Sequence, residues 1–269
     1  MPELNLRYRH NHRHEPHFNN NADIEQLAAA VRGQLGVATR RAISIGDLSA
    51  VDKLNVNGVG YELWKDVEHE VHDEFGNDVL GVFEYTPQSC LDAVSISVSP
   101  ADAGISQQLI LSTFAHEMGH AIYDGPALVA YHQNQPLIDV RHADSVRAYR
   151  LVTESPAHLQ KQDAQLPSHI RFAELRANEF MGSLLVPRDL LWDAITEEAS
   201  KHALSIRYED TLFAQSMDGN KQLVWTEATF DVDCWSFTRV LAPHFGVTPA
   251  FIQVRMKRYG IIPSQSKTH

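Results

Sequence analysis

The chain has 269 residues, 43% of them hydrophobic and 21% charged, the composition of a globular protein with a sizeable core. A formal net charge of −11 makes it a poor nonspecific ligand for nucleic acid or an anionic membrane, and suits a basic protein partner. Two cysteines, Cys90 and Cys234, exclude a disulfide framework and a cysteine-rich zinc knuckle and fit a reducing compartment. The first residues, MPELNLRYRHNHRHEP, contain no apolar stretch of the secretory kind, and no apolar run is long enough to span a bilayer. The expectation is a cytoplasmic protein with no membrane partner.

Residues 1–21 are rich in His, Asn and Arg and read as a polar tail without fixed structure. His10, His12, His14 and His17 lie in it; an unstructured cluster of this kind is not a preorganised metal site. From Asp23, ADIEQLAAAVRGQLG predicts a helix, with Ile24, Leu27, Ala28, Val31 and Leu35 at helical spacing and Gly36 as its stop. ISIGDLSAVDKLN predicts a second short helix capped near Ser44 or Asp47. GVGYELW, VLGVFEYT and AVSISVSP predict strands. In the third, Val94, Ile96 and Val98 alternate with serines, which suits a sheet edge that could accept an extended peptide.

SQQLILSTFAHEMGHAIY predicts a helix ended by Asp124-Gly125-Pro126, and residues 126–167 mix helix with loop. SHIRFAELRANEFMGSLLVP predicts a strong helix with Ser168 as N-cap and Pro187 beyond its end, and PRDLLWDAITEEASKHAL continues helical. RYEDTLFAQSMDGNKQLVWTEATF predicts a hairpin turning at Asp218-Gly219. The last stretch reads as two or three short helices. No internal repeat is present, and the pattern predicts one α+β unit: a small antiparallel or mixed sheet packed on the helix that carries HEMGH, with a mostly helical C-terminal part.

The chemistry concentrates in HEMGH. Residues i and i+4 of a helix lie on one face, so His116 and His120 can grip one ion while Glu117, rotated about 100°, flanks it. Zinc hydrolysis needs that division: neutral imidazoles hold the metal, and a nearby carboxylate takes a proton from water. In a chain with 15 histidines the pattern arises by chance about once in twenty such sequences, so its context must decide. Leu109, Ile110, Phe114, Met118, Ala121 and Ile122 make this helix apolar, and ionisable groups on a buried helix need a reason. Gly119 leaves room for close packing beside the metal.

A catalytic zinc wants a third protein ligand and an open position. In the following strong helix, Ile170, Ala177, Met181 and Leu184 form one stripe, and Glu174 falls on it. Glu174 is therefore either a ligand or the partner of an arginine such as Arg171. Asn178 faces the same way and is placed to accept the N–H of a ligating histidine; Glu179 points elsewhere, toward water.

HEMGH followed by ELRANEFMGSLLVP resembles the ImmA/IrrE family of zinc metallopeptidases, whose members carry HExGH and a later E-x-x-A-N-x-F-A-x-x-L-L-x-P stretch. The second motif stands here as Glu174, Ala177, Asn178, Phe180, Leu184, Leu185 and Pro187. The resemblance spans roughly residues 23–262. It implies zinc on His116, His120 and Glu174, Glu117 as general base, and a helix-turn-helix transcriptional repressor as substrate in a stress or mobile-element response. The chain departs from the pattern at Ser112-Thr113-Phe114-Ala115 and at Gly182, and Glu174 follows His120 by 54 positions; the extra segment at 126–167 could form a lid or a specificity element. Sequence leaves Tyr123, Tyr131, His132 and His142 as candidates for the oxyanion.

The implied organisation is a zinc metallopeptidase domain at 22–235 with the 126–167 insertion, then a helix-turn-helix-like segment at 236–262 packed on it. Arg255, Lys257 and Arg258 in that segment could meet phosphate, but one short basic cluster on an acidic chain is a thin footprint, and direct nucleic-acid binding is not expected. The alternative is a non-proteolytic DNA- or protein-binding regulator with a structural zinc site.

Overall fold

A computed structural model describes residues 2–17, 20–73, 75–101, 105–135, 145–151, 167–202, 205–209, 220–224 and 230–262. They form an α+β fold in two compact units, one of residues 1–38 and 43–184, the other of residues 39–42 and 185–269. The division falls after Leu184 and not near residue 235, because the helices beyond Pro187 build their own core with the C-terminal pair.

The first unit is built on a mixed seven-stranded sheet. Strand β1 (Glu3–Leu6) runs parallel to β2 (Lys53–Val56), which turns through Asn57-Gly58 into antiparallel β3 (Val59–Asp66). The sheet continues through β6 (Ala93–Val98), parallel to β3, to β5 (Asp78–Tyr85), antiparallel to β6. Short β4 (Val71–His72) and β7 (Val146–Leu151) both pair antiparallel with β5. Three expectations are corrected. The N-terminal residues are not a loose tail: Leu4 and Leu6 are buried, and the side chain of Gln34 bridges the backbone N–H and C=O of Asn5 at 2.7 and 2.8 Å. The helix expected across ISIGDLSAVDKLN is only α2 (Ile45–Ser49), capped by Ser44 and Asp47, and the residues after it enter β2. Strand β6 is flanked by β3 and β5, so its backbone is already paired on both sides and it cannot accept an extended peptide.

Four further helices complete this unit. Helix α1 (Asn21–Gln34) is opened by a capping box between Asn20 and Asp23. Helix α3 (Gln107–Tyr123) is opened by Ser106 and packs on β5 and β6. It is buried on all sides from Ile110 to Tyr123, which marks a central helix and not a surface one. Helix α4 (Gly125–Gln133) follows at once, and α5 (Ser168–Leu185) crosses α3 at Gly119. Of the 126–167 insertion, α4 and the sheet strand β7 are described; the remainder, including His142, lies outside the described residues.

The second unit holds α6 (Arg188–Ala199), the antiparallel pair β8 (Ser205–Glu209) and β9 (Asn220–Val224), α7 (Phe230–Phe245) and α8 (Pro249–Arg258). The predicted hairpin is present as a strand pair, but Glu209 stands opposite Asn220, so the connection takes all of residues 210–219 and not a tight turn at Asp218-Gly219, two positions that lie outside the described residues. Its core gathers Leu191, Ile195, Phe237, Leu241, Ile252 and Met256. Arg41 joins this unit through Glu197 at 2.8 Å and His244 at 3.2 Å. Among the described residues no helix is long and apolar enough to cross a membrane.

Candidate metal centre

Two close approaches bring the site together. On β5 a bulge lies between Val79 and Gly81. A Cβ at Gly81 would stand 2.5 Å from the Thr113 methyl and 3.4 Å from Cγ of Glu117, so only glycine lets α3 lie this near the sheet. On the other side, a Cβ at Gly119 would meet the Ala177 Cα at 3.0 Å. Ala177 is three residues after Glu174, so this contact delivers Glu174 to the histidine face of α3. Replacing Gly119 by alanine is expected to separate the helices, costing about 1–3 kcal/mol of stability and about tenfold in metal affinity. Urea unfolding and zinc competition with a chromophoric chelator would measure the two effects.

The three side chains meet as the motif spacing required. Nε2 of His116 lies 3.2 Å from Nε2 of His120, and each is 3.3 Å from an oxygen of Glu174. A tetrahedral ion with bonds of about 2.0–2.1 Å separates its ligand atoms by about 3.3 Å. The spacings are of that size, the two histidines reaching different oxygens of Glu174, and one ligand atom from each side chain lies within 4.8 Å of the others, so the group could hold a metal ion. The donor set, two imidazoles and a carboxylate, suits zinc among first-row metals. Glu174 meets the histidines and does not pair with Arg171.

Electrostatics point the same way. Burial works to lower the His120 pKa, but its hydrogen bonds to Asp124 and Glu174, with the charges of Asp124 and Glu117, outweigh it and push it up to about 10. Burial works to raise Glu174, and its hydrogen bonds with His116 and His120 hold it well below the usual carboxylate range. The cluster is thus built to surround positive charge.

Asp124 is the residue that sequence reading missed. Its Oδ2 lies 2.8 Å from His120 Nδ1, and Arg176 donates to Oδ1 at 3.2 Å. This fixes the tautomer that leaves Nε2 free to ligate, the role expected of Asn178. Asn178 instead is exposed, because the helix face that Ala177 and Met181 press inward turns it outward. The sequence did hold the signal: Asp124 follows His120 by four, as His120 follows His116. Glu179 is a second correction. It is 3% exposed, with the Ser183 hydroxyl 3.5 Å from its Oε1.

Glu117 is wholly buried beside the histidines, as are Thr113 and Met118. The Phe83 ring stacks near His120 with centroids 6.2 Å apart. Of the oxyanion candidates, Tyr123 is buried between Tyr8 and Phe180 and His132 is buried against Tyr85. Tyr131 is 62% exposed. In the second unit, α7 and α8 form a helix–turn–helix pair. Arg255 there is buried with its guanidinium 4.3 Å from the Tyr259 ring centroid, which removes it from the candidates for phosphate contact. Comparison with protein-family models, curated proteins and solved structures finds no match for this chain.

Proposed function

We propose that the chain is a zinc-dependent endopeptidase. The observation that carries this reading is the cluster of His116, His120 and Glu174, in which the two Nε2 atoms lie 3.2 Å apart and each lies 3.3 Å from a Glu174 oxygen, with Glu117 at the adjoining position of α3. Zinc, when bound, acidifies water and polarises a carbonyl oxygen. His116, His120 and Glu174 hold it, and Asp124 keeps His120 in the ligating tautomer. Glu117 accepts the proton of the attacking water and returns it to the leaving amine. The apolar surroundings, Phe83, Phe114 and Met118, keep bulk water from weakening these interactions.

The substrate we propose is a helix-turn-helix repressor, cleaved in the cytoplasm during a stress or mobile-element response. The resemblance in HEMGH and ELRANEFMGSLLVP supports this, and the net charge of −11 favours a basic protein partner. A second reading, a DNA- or protein-binding regulator with structural zinc, is favoured by the complete burial of Glu117. Co-expression with candidate repressors separates the two. Cleavage by the wild type and stable capture by Glu117→Gln support the peptidase; capture without cleavage by both supports the regulator.

A further inference from the structure

The last four carbonyls of a helix have no partner within it. In α3 these belong to His120, Ala121, Ile122 and Tyr123, and the segment they end carries the site. The His120 carbonyl accepts the Asp124 N–H at 2.8 Å. The other three are met by two phenols from distant parts of the chain. Tyr61 donates to the Ala121 carbonyl at 2.7 Å. The Tyr8 hydroxyl lies 3.2 Å from the Ile122 carbonyl and 3.0 Å from that of Tyr123, and shares its proton between them.

Tyr8 belongs to the N-terminal segment and is held there from both sides. Its ring packs on Tyr123 with centroids 5.0 Å apart, and its backbone N–H donates to Oδ1 of Asn57 at 2.9 Å. Burial, and then the nearby charge of Asp124, push its phenol well above the ordinary range, so it remains an O–H donor. The next residue after the carbonyls it anchors is Asp124, whose side chain must turn back to reach His120 Nδ1. Arg176 steadies only the far oxygen of that carboxylate.

We infer that Tyr8 is a positioning residue of the metal centre, acting through Asp124: by closing the C-terminal carbonyls of α3 it sets the carboxylate that orients His120. The N-terminal segment is then part of the site and not an appendage. This rests on the metal-site reading above.

Zinc competition with a chromophoric chelator tests it in the full chain. Tyr8→Phe keeps the ring contact and removes only the hydroxyl. It is expected to weaken zinc binding about tenfold, and Asp124→Asn by about 10–100-fold. The double variant should bind no more weakly than Asp124→Asn alone, since both changes break one chain of contacts. Tyr8→Phe binding within twofold of the wild type would overturn the inference, as would losses that multiply in the double variant or an Asp124→Asn without effect. Asn57→Gly is the second variant, since Asn57 has φ +56°, which glycine tolerates; it loosens Tyr8 without touching α3 and should weaken zinc in the same direction. The Nδ1–H proton of His120 in the metal-free protein gives an independent reading by NMR. It should exchange slowly in the wild type and rapidly in Tyr8→Phe; equal exchange contradicts the inference. A wild type that binds no zinc contradicts the metal-site reading, and this proton signal alone then decides the role of Tyr8.

Discussion

Replacing Glu117 by glutamine is expected to lower peptide-bond cleavage by about 10³-fold while zinc stays bound, since a positioned general base contributes about 10²–10⁴. Glutamine keeps the shape of the side chain and removes only its capacity to take a proton. Glu117 lies about 100° around the helix from His116, so it does not enter the ligand cluster, and metal content should be unchanged. New protein N-termini appearing in a cell extract, counted with wild type and variant at equal zinc loading, would measure the effect whatever the substrate. Equal counts would remove Glu117 from the mechanism.

The second large effect concerns stability. Arg32 is 1% exposed; one guanidinium nitrogen donates to the Leu184 carbonyl at 2.8 Å and the other to the Val37 carbonyl at 3.1 Å. It thus closes the C-terminal end of α5, where a cation is also favoured by the helix dipole. Glu174 sits on the same rigid helix. Arg32→Ala orphans two carbonyls at about 1–3 kcal/mol each and opens a cavity, so a loss of about 3–5 kcal/mol is expected. Against a total of about 5–15 kcal/mol, that places the variant near its unfolding threshold. Arg32→Met should recover the packing part only. Urea denaturation with a ΔΔG under about 1 kcal/mol for Arg32→Ala would show that the contact is dispensable.

The site is legible in the sequence where local periodicity carries the information. His116 and His120 are joined by helical spacing alone, and Glu174 by its place on the apolar stripe of α5. Gly119 is legible as a packing glycine, and its contact with Ala177 supplies that reason. What escapes is set by partners far along the chain. ELNL is too short and too polar at its flanks to announce a strand; it becomes β1 because β2 and Gln34 meet its backbone. KLNV reads as the tail of a helix until Asn57, at positive φ, turns it into a hairpin. Nothing local to Arg32 in α1 says that the end of α5 awaits it. For α5 the stripe through Ala177, Met181 and Leu184 is placed correctly but its extent is not: Ile170 at its start is exposed, Asn178 is exposed, and Glu179 is buried, because packing partners and not spacing decide how far the buried face reaches. Asp124 reads only as a helix stop, although its spacing from His120 places it on the ligand face.

The central claim is that His116, His120 and Glu174 hold one metal ion. Zinc content after exhaustive dialysis tests it most directly. One zinc per chain is expected in the wild type and in Glu117→Gln, and none retained in a His116→Ala/His120→Ala variant that still unfolds cooperatively. A wild type that retains no zinc when dialysed from micromolar metal, or a double variant that retains it as well as the wild type does, would contradict the account.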